Sequence, residues 1–360
     1  MENVYKHVVI GGGIIGASLA NKLALSSSVS ETKSSVCLLE QNNIASGTTS
    51  KSAGVIIKNH KTGLATQLAA RTLDDINLFS ESKKLQSFTK VGTYNPVKDI
   101  KTTEDGFVDP YELTHCYTKQ AQKYGLKLLE NYLVRRIEKI HTGTNKYLFV
   151  INDDIYAQNV YNTTGMWASS IAKGGRKKEL PVAYMRSHYW EFSPTGNSSN
   201  FKPKPVLLLP GMYIKFHRNK FEVGIQEEES FVVEDPINDD LPSENSALPS
   251  LINNYEKLKE FVPNFENARL RNYVSGISTY TADGLPVIDI EEGDRIGEGS
   301  FVTISGCNGY GVTWTGGISS ILADKNDNLI SQLNSSRFSN LTRSEIIRHA
   351  QDIRYKKVSK

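Results

Sequence analysis

Hydrophobic residues near the start of the chain occur in short runs that end in glycine or in an acidic residue. Residues 5–10 form one such run and lead into three glycines, and residues 36–39 form another, which Glu40 follows. Short apolar runs with such borders are typical of buried strands. Residues 17–25, between the two runs, mix apolar and small side chains and predict a helix. The pattern therefore predicts a strand, a helix and a second strand.

Helical periodicity returns in two later segments. In residues 63–86 the apolar positions 64, 68, 73, 76 and 79 follow a spacing close to that of one helix face. Asp109 and Pro110 supply an N-cap and a first-turn residue for a helix that runs to Tyr124, before Gly125. Residues 126–140 then predict two short strands.

From Pro181 onward the pattern changes to aromatic-rich strands that alternate with Pro, Gly and Asn turns, as in an antiparallel sheet. Residues 251–261 predict a helix that ends before Pro263. The change predicts a second domain. Its strands are expected at residues 182–192, 206–209, 212–216 and 221–225.

The turn after the first strand carries glycines at the spacing G-x-G-x-x-G, as Gly11, Gly13 and Gly16. In a dinucleotide-binding turn the first glycine permits the tight turn, the second admits the pyrophosphate, and the third lets the helix pack on the strand. Glu40, at the end of the second strand, is placed to accept hydrogen bonds from the ribose hydroxyls. These features predict a Rossmann-like dinucleotide-binding domain.

Composition and charge narrow the class of protein. The 360 residues are 39% hydrophobic and carry a net charge of +3, with acids and bases interleaved. The charge is too small for a nucleic-acid partner, and no apolar run is long enough for a membrane span or a secretory signal. Three cysteines without a C-x-x-C pair predict neither disulfides nor a metal site. We expect a cytoplasmic protein.

Three glycine-rich segments follow the dinucleotide fingerprint. They read Ala-Ser-Gly-Thr-Thr-Ser-Lys-Ser-Ala-Gly at 45–54, Asn-Thr-Thr-Gly-Met-Trp-Ala at 162–168 and Gly-Cys-Asn-Gly-Tyr-Gly-Val-Thr at 306–313, the last preceded by Thr-Ala-Asp-Gly-Leu-Pro at 281–286. In this order, which spans nearly the whole chain, the segments resemble the D-amino acid oxidase (DAO) family of FAD-dependent amine oxidoreductases.

The resemblance implies an α/β fold class, with a Rossmann-like FAD-binding domain and a second α+β domain on a mixed, largely antiparallel sheet. The FAD-binding domain would comprise residues 1–83, 107–180 and 276–360, and the substrate domain residues 84–106 and 181–275. FAD would contact Gly11, Gly13, Ile14, Ile15, Gly16, Glu40, Gln41, Ser46, Thr48, Thr49, Lys51, Ser52, Ala53, Gly54, Val55, Val134 (on a strand beside the adenine), Thr164, Gly165, Trp167, Gly276, Asn308, Gly309, Tyr310, Gly311, Val312 and Thr313.

Few catalytic side chains are needed, because the flavin is itself the electron acceptor. A neutral amine needs no general base, whereas an alcohol does. His188 and His60 are the candidate bases, and Tyr310 is a third catalytic candidate. On the substrate sheet, Arg186, Tyr213 and Lys215 are the candidates for binding substrate.

The resemblance is weaker at the residues that select the substrate. Relatives bind a carboxylate through basic residues where this chain has Ser278, Thr313 and His60. Oxidase relatives also place a lysine over the flavin, and the best-aligned position here is Glu222, with Gln226 where they carry a histidine. Lys215 or Lys220 could serve instead.

These residues predict a dehydrogenase more than an oxidase, acting on a C–N bond of an amine or an N-substituted amino acid, with an unknown electron acceptor. A 2-hydroxy-acid dehydrogenase and a flavin-binding subunit without turnover of its own remain alternatives. Relatives with covalent flavin use a histidine where Lys51 stands, or a cysteine upstream of the Asp-Gly-x-Pro segment, and Cys307 lies in a turn. Non-covalent FAD is therefore expected.

Overall fold

The fold is described from a computed structural model, for residues 3–27, 35–143, 146–171, 179–194, 204–217, 219–225, 232–237, 244–291, 295–296, 299–325 and 327–359. The strands are β1 (Val4–Ile10), β2 (Val36–Leu39), β3 (Val55–Ile56), β4 (Thr93–Asn95), β5 (Ile100–Lys101), β6 (Gly106–Phe107), β7 (Lys127–Leu129), β8 (Ile137–Gly143), β9 (Lys146–Ile151), β10 (Ile155–Asn162), β11 (Ala183–Ser193), β12 (Val206–Leu209), β13 (Met212–Phe216), β14 (Phe221–Ile225), β15 (Arg269–Tyr280), β16 (Val287–Ile290) and β17 (Phe301–Ser305). The α-helices are α1 (Ile14–Ser27), α2 (Gly63–Glu81), α3 (Pro110–Lys123), α4 (Glu244–Asn253), α5 (Tyr255–Phe261), α6 (Gly311–Ala323), α7 (Asp327–Leu333) and α8 (Arg343–Ser359).

The first sheet has β1 near its centre. Its order is β16, β17, β10, β1, β2, β7, and β9 and β8 extend it from β10. The pairs β17/β10, β10/β1, β1/β2 and β2/β7 are parallel. Parallel strands buried on both faces read as continuous apolar runs, which is why β1 and β2 were recognisable in the sequence.

Helices α1, α2, α3 and α6 accompany this sheet. The predicted helix caps are present, since Asp109 accepts a hydrogen bond from the backbone N–H of Tyr111 at 2.8 Å. Leu19 of α1, Leu68 of α2 and Ile318 of α6 share one buried hydrophobic cluster with strand residues such as Val9. The core thus holds the glycine-rich turn between β1 and α1 on rigid elements.

Two sequence predictions need correction. Val134 was expected on a strand, but it lies in the connection between β7 and β8, buried in a cluster with Ile10 and Leu39. The helix predicted over residues 251–261 is two helices, α4 and α5, which are interrupted at Asn254.

The second sheet has the order β15, β11, β14, β13, β12, β4, β5. All its pairs are antiparallel except β12/β4, so it is mixed and largely antiparallel, as the sequence predicted. One face carries Trp190, Ile214 and Val223, which pack in a cluster with Leu258 of α5 and Val262. We call this the helix-covered face and the other the cofactor-facing face.

Strand β15 of the second sheet continues to Tyr280 and so crosses the domain boundary that the sequence analysis places at residue 276. The boundaries themselves stay a prediction. None of the helices in the ranges given above is long and apolar enough to cross a membrane. The described residues contain no cluster of three or more His, Cys, Asp or Glu side chains that could hold a metal ion.

Candidate active site

The glycine-rich turn between β1 and α1 is tightly packed on one side and open on the other. Gly11 has a φ of +104°, and a Cβ added there would lie 2.9 Å from the Thr163 carbonyl oxygen. A Cβ at Gly16 would lie 1.9 Å from the Gly11 carbonyl oxygen. At Gly13, by contrast, the single described neighbour within 4 Å is Thr49 Oγ1, at 3.1 Å. The turn therefore has the shape that an approaching phosphate group requires.

The carboxylate of Glu40 is fixed beside this turn. It accepts hydrogen bonds from the backbone N–H groups of Gly12, at 2.6 Å, and Asn42, at 2.8 Å. A Cβ at Gly12 would lie 2.9 Å from Glu40 Cβ and 2.5 Å from Ile44 Cδ1. The sequence analysis missed Gly12, whose lack of a side chain allows Glu40 to reach the turn.

The segment 46–56 runs from the turn to the second sheet. Thr49 Oγ1 accepts a hydrogen bond from the Ile14 N–H at 3.0 Å, and Thr48 donates to the Ile277 carbonyl at 3.1 Å. The Lys51 side chain crosses Gly276, where a Cβ would lie 3.2 Å from Lys51 Cβ. We call residues 46–56 the flavin loop, because the resemblance places the flavin beside them.

The strand end after β10 also reaches this region. Gly165 has a φ of +62°, and a Cβ there would meet no described atom within 4 Å. Trp167 lies across from Gly47, whose Cβ would be 3.8 Å from the indole. Thr164 and Gly165 thus border open space next to the flavin loop.

Hydrogen bonds to neighbouring elements fix the segment that begins α6. Asn308 is fully buried with a φ of +53°, and its side-chain oxygen accepts a hydrogen bond from the Thr281 N–H at 2.9 Å. Thr313 donates its hydroxyl to the Val55 carbonyl at 3.1 Å. These two hydrogen bonds tie the start of α6 to the residue after β15 and to the flavin loop, and the predicted contacts of Asn308 and Thr313 with the cofactor stay a prediction.

His60, Tyr310 and Trp314 form an aromatic group at the start of α6. The rings of His60 and Tyr310 are 4.8 Å apart and nearly perpendicular. His60 Nε2 lies 2.9 Å from the Ile57 carbonyl oxygen and 3.3 Å from the indole N–H of Trp314. A neutral ring nitrogen either donates or accepts a hydrogen bond, so only one of these contacts is made at a time. Burial raises the pKa of Tyr310, which keeps its phenol neutral.

On the cofactor-facing face, a buried ion pair touches the flavin loop. Lys215 Nζ lies 2.5 Å from Glu222 Oε2 and donates to the Ala53 carbonyl at 2.5 Å. His217 Nε2 lies 2.9 Å from the other oxygen of Glu222. Lys220 is more distant, 3.6 Å from Glu222, and binds Glu191. Lys215, one of the predicted substrate ligands, is thus engaged with protein groups.

The surroundings favour the charged form of Glu222. Burial alone would raise its pKa, but the hydrogen bond with His217 and the charge of Lys215 outweigh it and lower the pKa to about 2. Burial lowers the pKa of Lys215, and the Glu222 charge opposes this. Opposite charges at contact distance keep such a pair ionised. Gln226 lies outside the described residues.

Tyr213 lies flat on the same face. Strand β14 lies between β13 and β11, and its Gly224 pairs with Tyr213 on one side and with Tyr189 on the other. The two phenols therefore flank this glycine. Burial and the negative charge of Glu222 raise the pKa of Tyr213 well above its ordinary value. Tyr213 is therefore a neutral hydrogen-bond donor on the same face of the sheet as Lys215, which contacts the flavin loop.

His188 and Arg186 do not face the flavin loop. Strand alternation puts them on the same face as Trp190, whose ring is 4.8 Å from His188. Burial, then the charges of Arg354 and Arg186, lower the pKa of His188 to about 4. The register of β11 fixes both side chains on the helix-covered face, opposite to Lys215 with its contact to the flavin loop, which argues against their predicted roles beside the cofactor.

The four glycine-rich segments thus meet around one region, bordered by Glu40 at one end and by Tyr310 and Tyr213 at the other. Its open positions at Gly13 and Gly165 fit a long, flat cofactor with a central pyrophosphate, which describes FAD. The glycines would hold the pyrophosphate, and Glu40 the ribose.

Comparisons with known proteins agree with this geometry. The family model described as "DAO: FAD dependent oxidoreductase" matches residues 6–101 and 94–325. Human dimethylglycine dehydrogenase is 25% identical over an alignment that covers 88% of this chain but 42% of the human protein. Glycine oxidase of Bacillus subtilis (strain 168) is 23% identical, covering 80% of this chain and 85% of the oxidase.

Among solved structures, L-proline dehydrogenase from P. horikoshii superposes with a TM-score of 0.75 at 18% identity, covering 94% of this chain and 99% of that one. Glycine oxidase from Geobacillus kaustophilus superposes with a TM-score of 0.67 at 17% identity, covering 90% and 95%. These likenesses show the fold. The family match, which covers most of the chain, goes further: the chain belongs to the DAO family of FAD-dependent oxidoreductases.

Proposed function

We propose that the chain oxidises a C–N bond of an amine or an N-substituted amino acid, with non-covalent FAD as the hydride acceptor at flavin N5. The observation that carries this proposal is the orientation of His188. An alcohol substrate needs a base for its hydroxyl proton. Of the two candidate bases, His188 lies on the helix-covered face, and His60 Nε2 is engaged with either the Ile57 carbonyl or the Trp314 indole. A neutral amine needs no such base, and two relatives bear the names dimethylglycine dehydrogenase and glycine oxidase.

Tyr213 would orient the substrate in this proposal. Its hydroxyl is kept protonated by burial and by the Glu222 charge, so it can donate a hydrogen bond but cannot remove a proton. His60 and Tyr310 would border the other side of the reacting centre, where His60 Nε2 lies 3.3 Å from the Trp314 indole nitrogen. Bound FAD supplies the electron acceptor. These side chains would hold the donor carbon over the flavin and exclude water.

A simple unsubstituted amino acid fits less well. Its carboxylate would need a cationic partner to be buried at low cost, and Ser278 and Thr313 stand where relatives carry basic residues. The Thr313 hydroxyl already donates to Val55. Arg186 points away and Lys215 is paired with Glu222. We therefore propose that the better substrate is an amine without that carboxylate, since the same cost applies to the carboxylate of an N-substituted amino acid.

We further propose a dehydrogenase. The lysine expected over the flavin in oxidase relatives is replaced by Glu222, and the neighbouring Lys215 is neutralised by it.

The test measures reduction of the flavin in the purified protein, without oxygen, by stopped-flow absorbance. The compounds tested are amines, N-methyl amines, D- and L-amino acids and 2-hydroxy acids. We expect bleaching by secondary or tertiary amines. Reduction by 2-hydroxy acids alone would instead establish a 2-hydroxy-acid dehydrogenase. No reduction by any compound would favour a subunit of a larger assembly, an alternative consistent with the 42% coverage of dimethylglycine dehydrogenase.

Reoxidation separates the two enzyme types. The reduced protein is mixed with air-saturated buffer or with a dye acceptor. A dehydrogenase turns over much faster with the dye, whereas equal rates with air would refute that part of the proposal.

A further inference from the structure

The ion pair between Lys215 and Glu222 is more deeply buried than stability alone explains. The two residues expose 4% and 3% of their surface. Moving two charges out of water costs several kcal/mol per ion, and an apolar pair of the same volume is often equally stable or more so. A pair retained at such a cost needs another reason, and its position beside the flavin loop supplies one.

Lys215 connects the second sheet to the flavin loop. Its ammonium donates to the Ala53 carbonyl and also lies 5.2 Å from the centre of the Phe107 ring. Phe107 pairs with Val55 in the short β3/β6 ribbon that ends this loop. His217 packs against the same ring, with ring centres 4.8 Å apart. Lys215 thus contacts the flavin loop at Ala53 and, through Phe107, the strand β6 that pairs with the end of this loop.

Glu222 determines where that lysine points and what charge it presents. Without the carboxylate, the ammonium would lose the partner that holds it on the Ala53 carbonyl, and its positive charge beside the flavin loop would be uncompensated. With the carboxylate, the pair is neutral as a unit. Charges in a poorly solvated site act strongly on neighbouring groups.

We propose that Glu222 is a positioning residue that holds Lys215 on the Ala53 carbonyl and cancels its charge, and that this neutral pair sets the reduction potential of the bound flavin. Reduction adds negative charge to the flavin, which a nearby uncompensated cation stabilises. This inference concerns the flavin environment and does not depend on the substrate class.

The test uses the holoprotein and two readouts that need no substrate: the midpoint potential of the bound flavin, and its affinity for sulfite, an anion that adds to oxidised flavins and bleaches their absorbance. Glu222→Gln should raise the potential and bind sulfite about tenfold more tightly, the scale of one charge interaction in a protein interior. Lys215→Met should shift both in the opposite direction, because the Glu222 charge then remains alone. The double variant should return toward the wild type.

Lys220→Met is the matched control. Lys220 also approaches Glu222 but binds Glu191, and within the described residues it forms no hydrogen bond or ion pair with the flavin loop. Both readouts should therefore change little. Lys215→Arg, which keeps the charge, should restore most of the wild-type potential. Unchanged sulfite affinity and potential in a flavin-loaded Glu222→Gln protein would overturn the proposal. If Glu222→Gln cannot be isolated with flavin, the Lys215→Met protein provides the test. Sulfite binding by Lys215→Met that is as tight as, or tighter than, that of the wild type would also contradict the proposal.

Discussion

The ring of Tyr213 lies directly over Gly224, so closely that a Cβ at position 224 would be 2.0 Å from Tyr213 Cε1. The residues are cross-strand partners in β13 and β14. A side chain on Gly224 would lift the phenol off the sheet and toward the flavin loop. The absence of a side chain at Gly224 therefore allows the Tyr213 ring to lie close to the sheet.

Gly224→Ala is expected to displace Tyr213 and to slow flavin reduction by the best substrate by about a hundredfold, because small misplacements of positioning groups are that costly. FAD content should stay at the wild-type level, since Gly224 is remote from the pyrophosphate turn. Tyr213→Phe provides the comparison. It keeps the ring in place and should lose only the hydrogen bond, about tenfold in the same rate. A Gly224→Ala enzyme with the wild-type reduction rate would show that Tyr213 does not orient the substrate.

Gly13→Leu should give colourless protein. The wild-type protein should be yellow with one FAD per chain, and the leucine would occupy the open side of the turn, where the pyrophosphate is expected. Gly63→Leu is the matched control, because a Cβ at Gly63, the first residue of α2, meets no described atom within 4 Å. Absorbance at flavin wavelengths and thermal unfolding of both variants distinguish lost cofactor binding from lost folding. Full FAD content in Gly13→Leu would contradict the assignment of this turn.

Denatured protein should release all of its FAD. Lys51 stands where some relatives carry the linking histidine, and its side chain lies across Gly276. Cys307 is the cysteine nearest in sequence to the Asp-Gly-Leu-Pro segment at 283–286. Burial raises the pKa of its thiol to about 12, so the thiol stays protonated and is a poor nucleophile. Intact mass spectrometry after acid denaturation checks this, with the mass of the bare chain expected. A species heavier by one FAD would show a covalent link.

The sequence predicted the first domain well because its signals are local. Gly11, Gly13 and Gly16 each meet a steric requirement of one turn, and Asp109 caps the helix it precedes. Such requirements depend on neighbours in the chain, and the sequence displays them directly. Glu40 follows the same logic, since its position at the end of β2 places it beside the turn after β1.

The second domain was harder because its site depends on register between distant strands. Alternation alone shows that His188 and Tyr189 face opposite ways, but not which of them faces the cofactor. That follows from the pairing of Tyr189 with Gly224 and of Glu191 with Glu222. The pairing of Lys215 with Glu222 depends in the same way on the hairpin register of β13 and β14. Chain position alone therefore could not show which face of the sheet His188 occupies.

Two buried histidines predict that acid destabilises the fold between pH 6.5 and 4. Burial is the main cause that lowers the pKa of both His7 and His188 to about 4 from an ordinary 6.5. In this window the unfolded chain binds protons that the folded chain does not, so the free energy of unfolding falls as the pH falls. From pH 7 to pH 5 the loss should be about 2 kcal/mol for each histidine.

Urea unfolding at pH 7 and pH 5 measures this loss. His188→Gln replaces the imidazole by a side chain that does not titrate, so its stability should fall by about 2 kcal/mol less than that of the wild type over the same pH change. His7→Gln should behave in the same way. His141→Gln, a substitution of an exposed histidine on β8, is the surface control and should retain the full wild-type loss. If His188→Gln loses as much stability as the wild type, His188 is protonated in the folded protein at pH 5, and the packing of its ring against Trp190 does not exclude the charge.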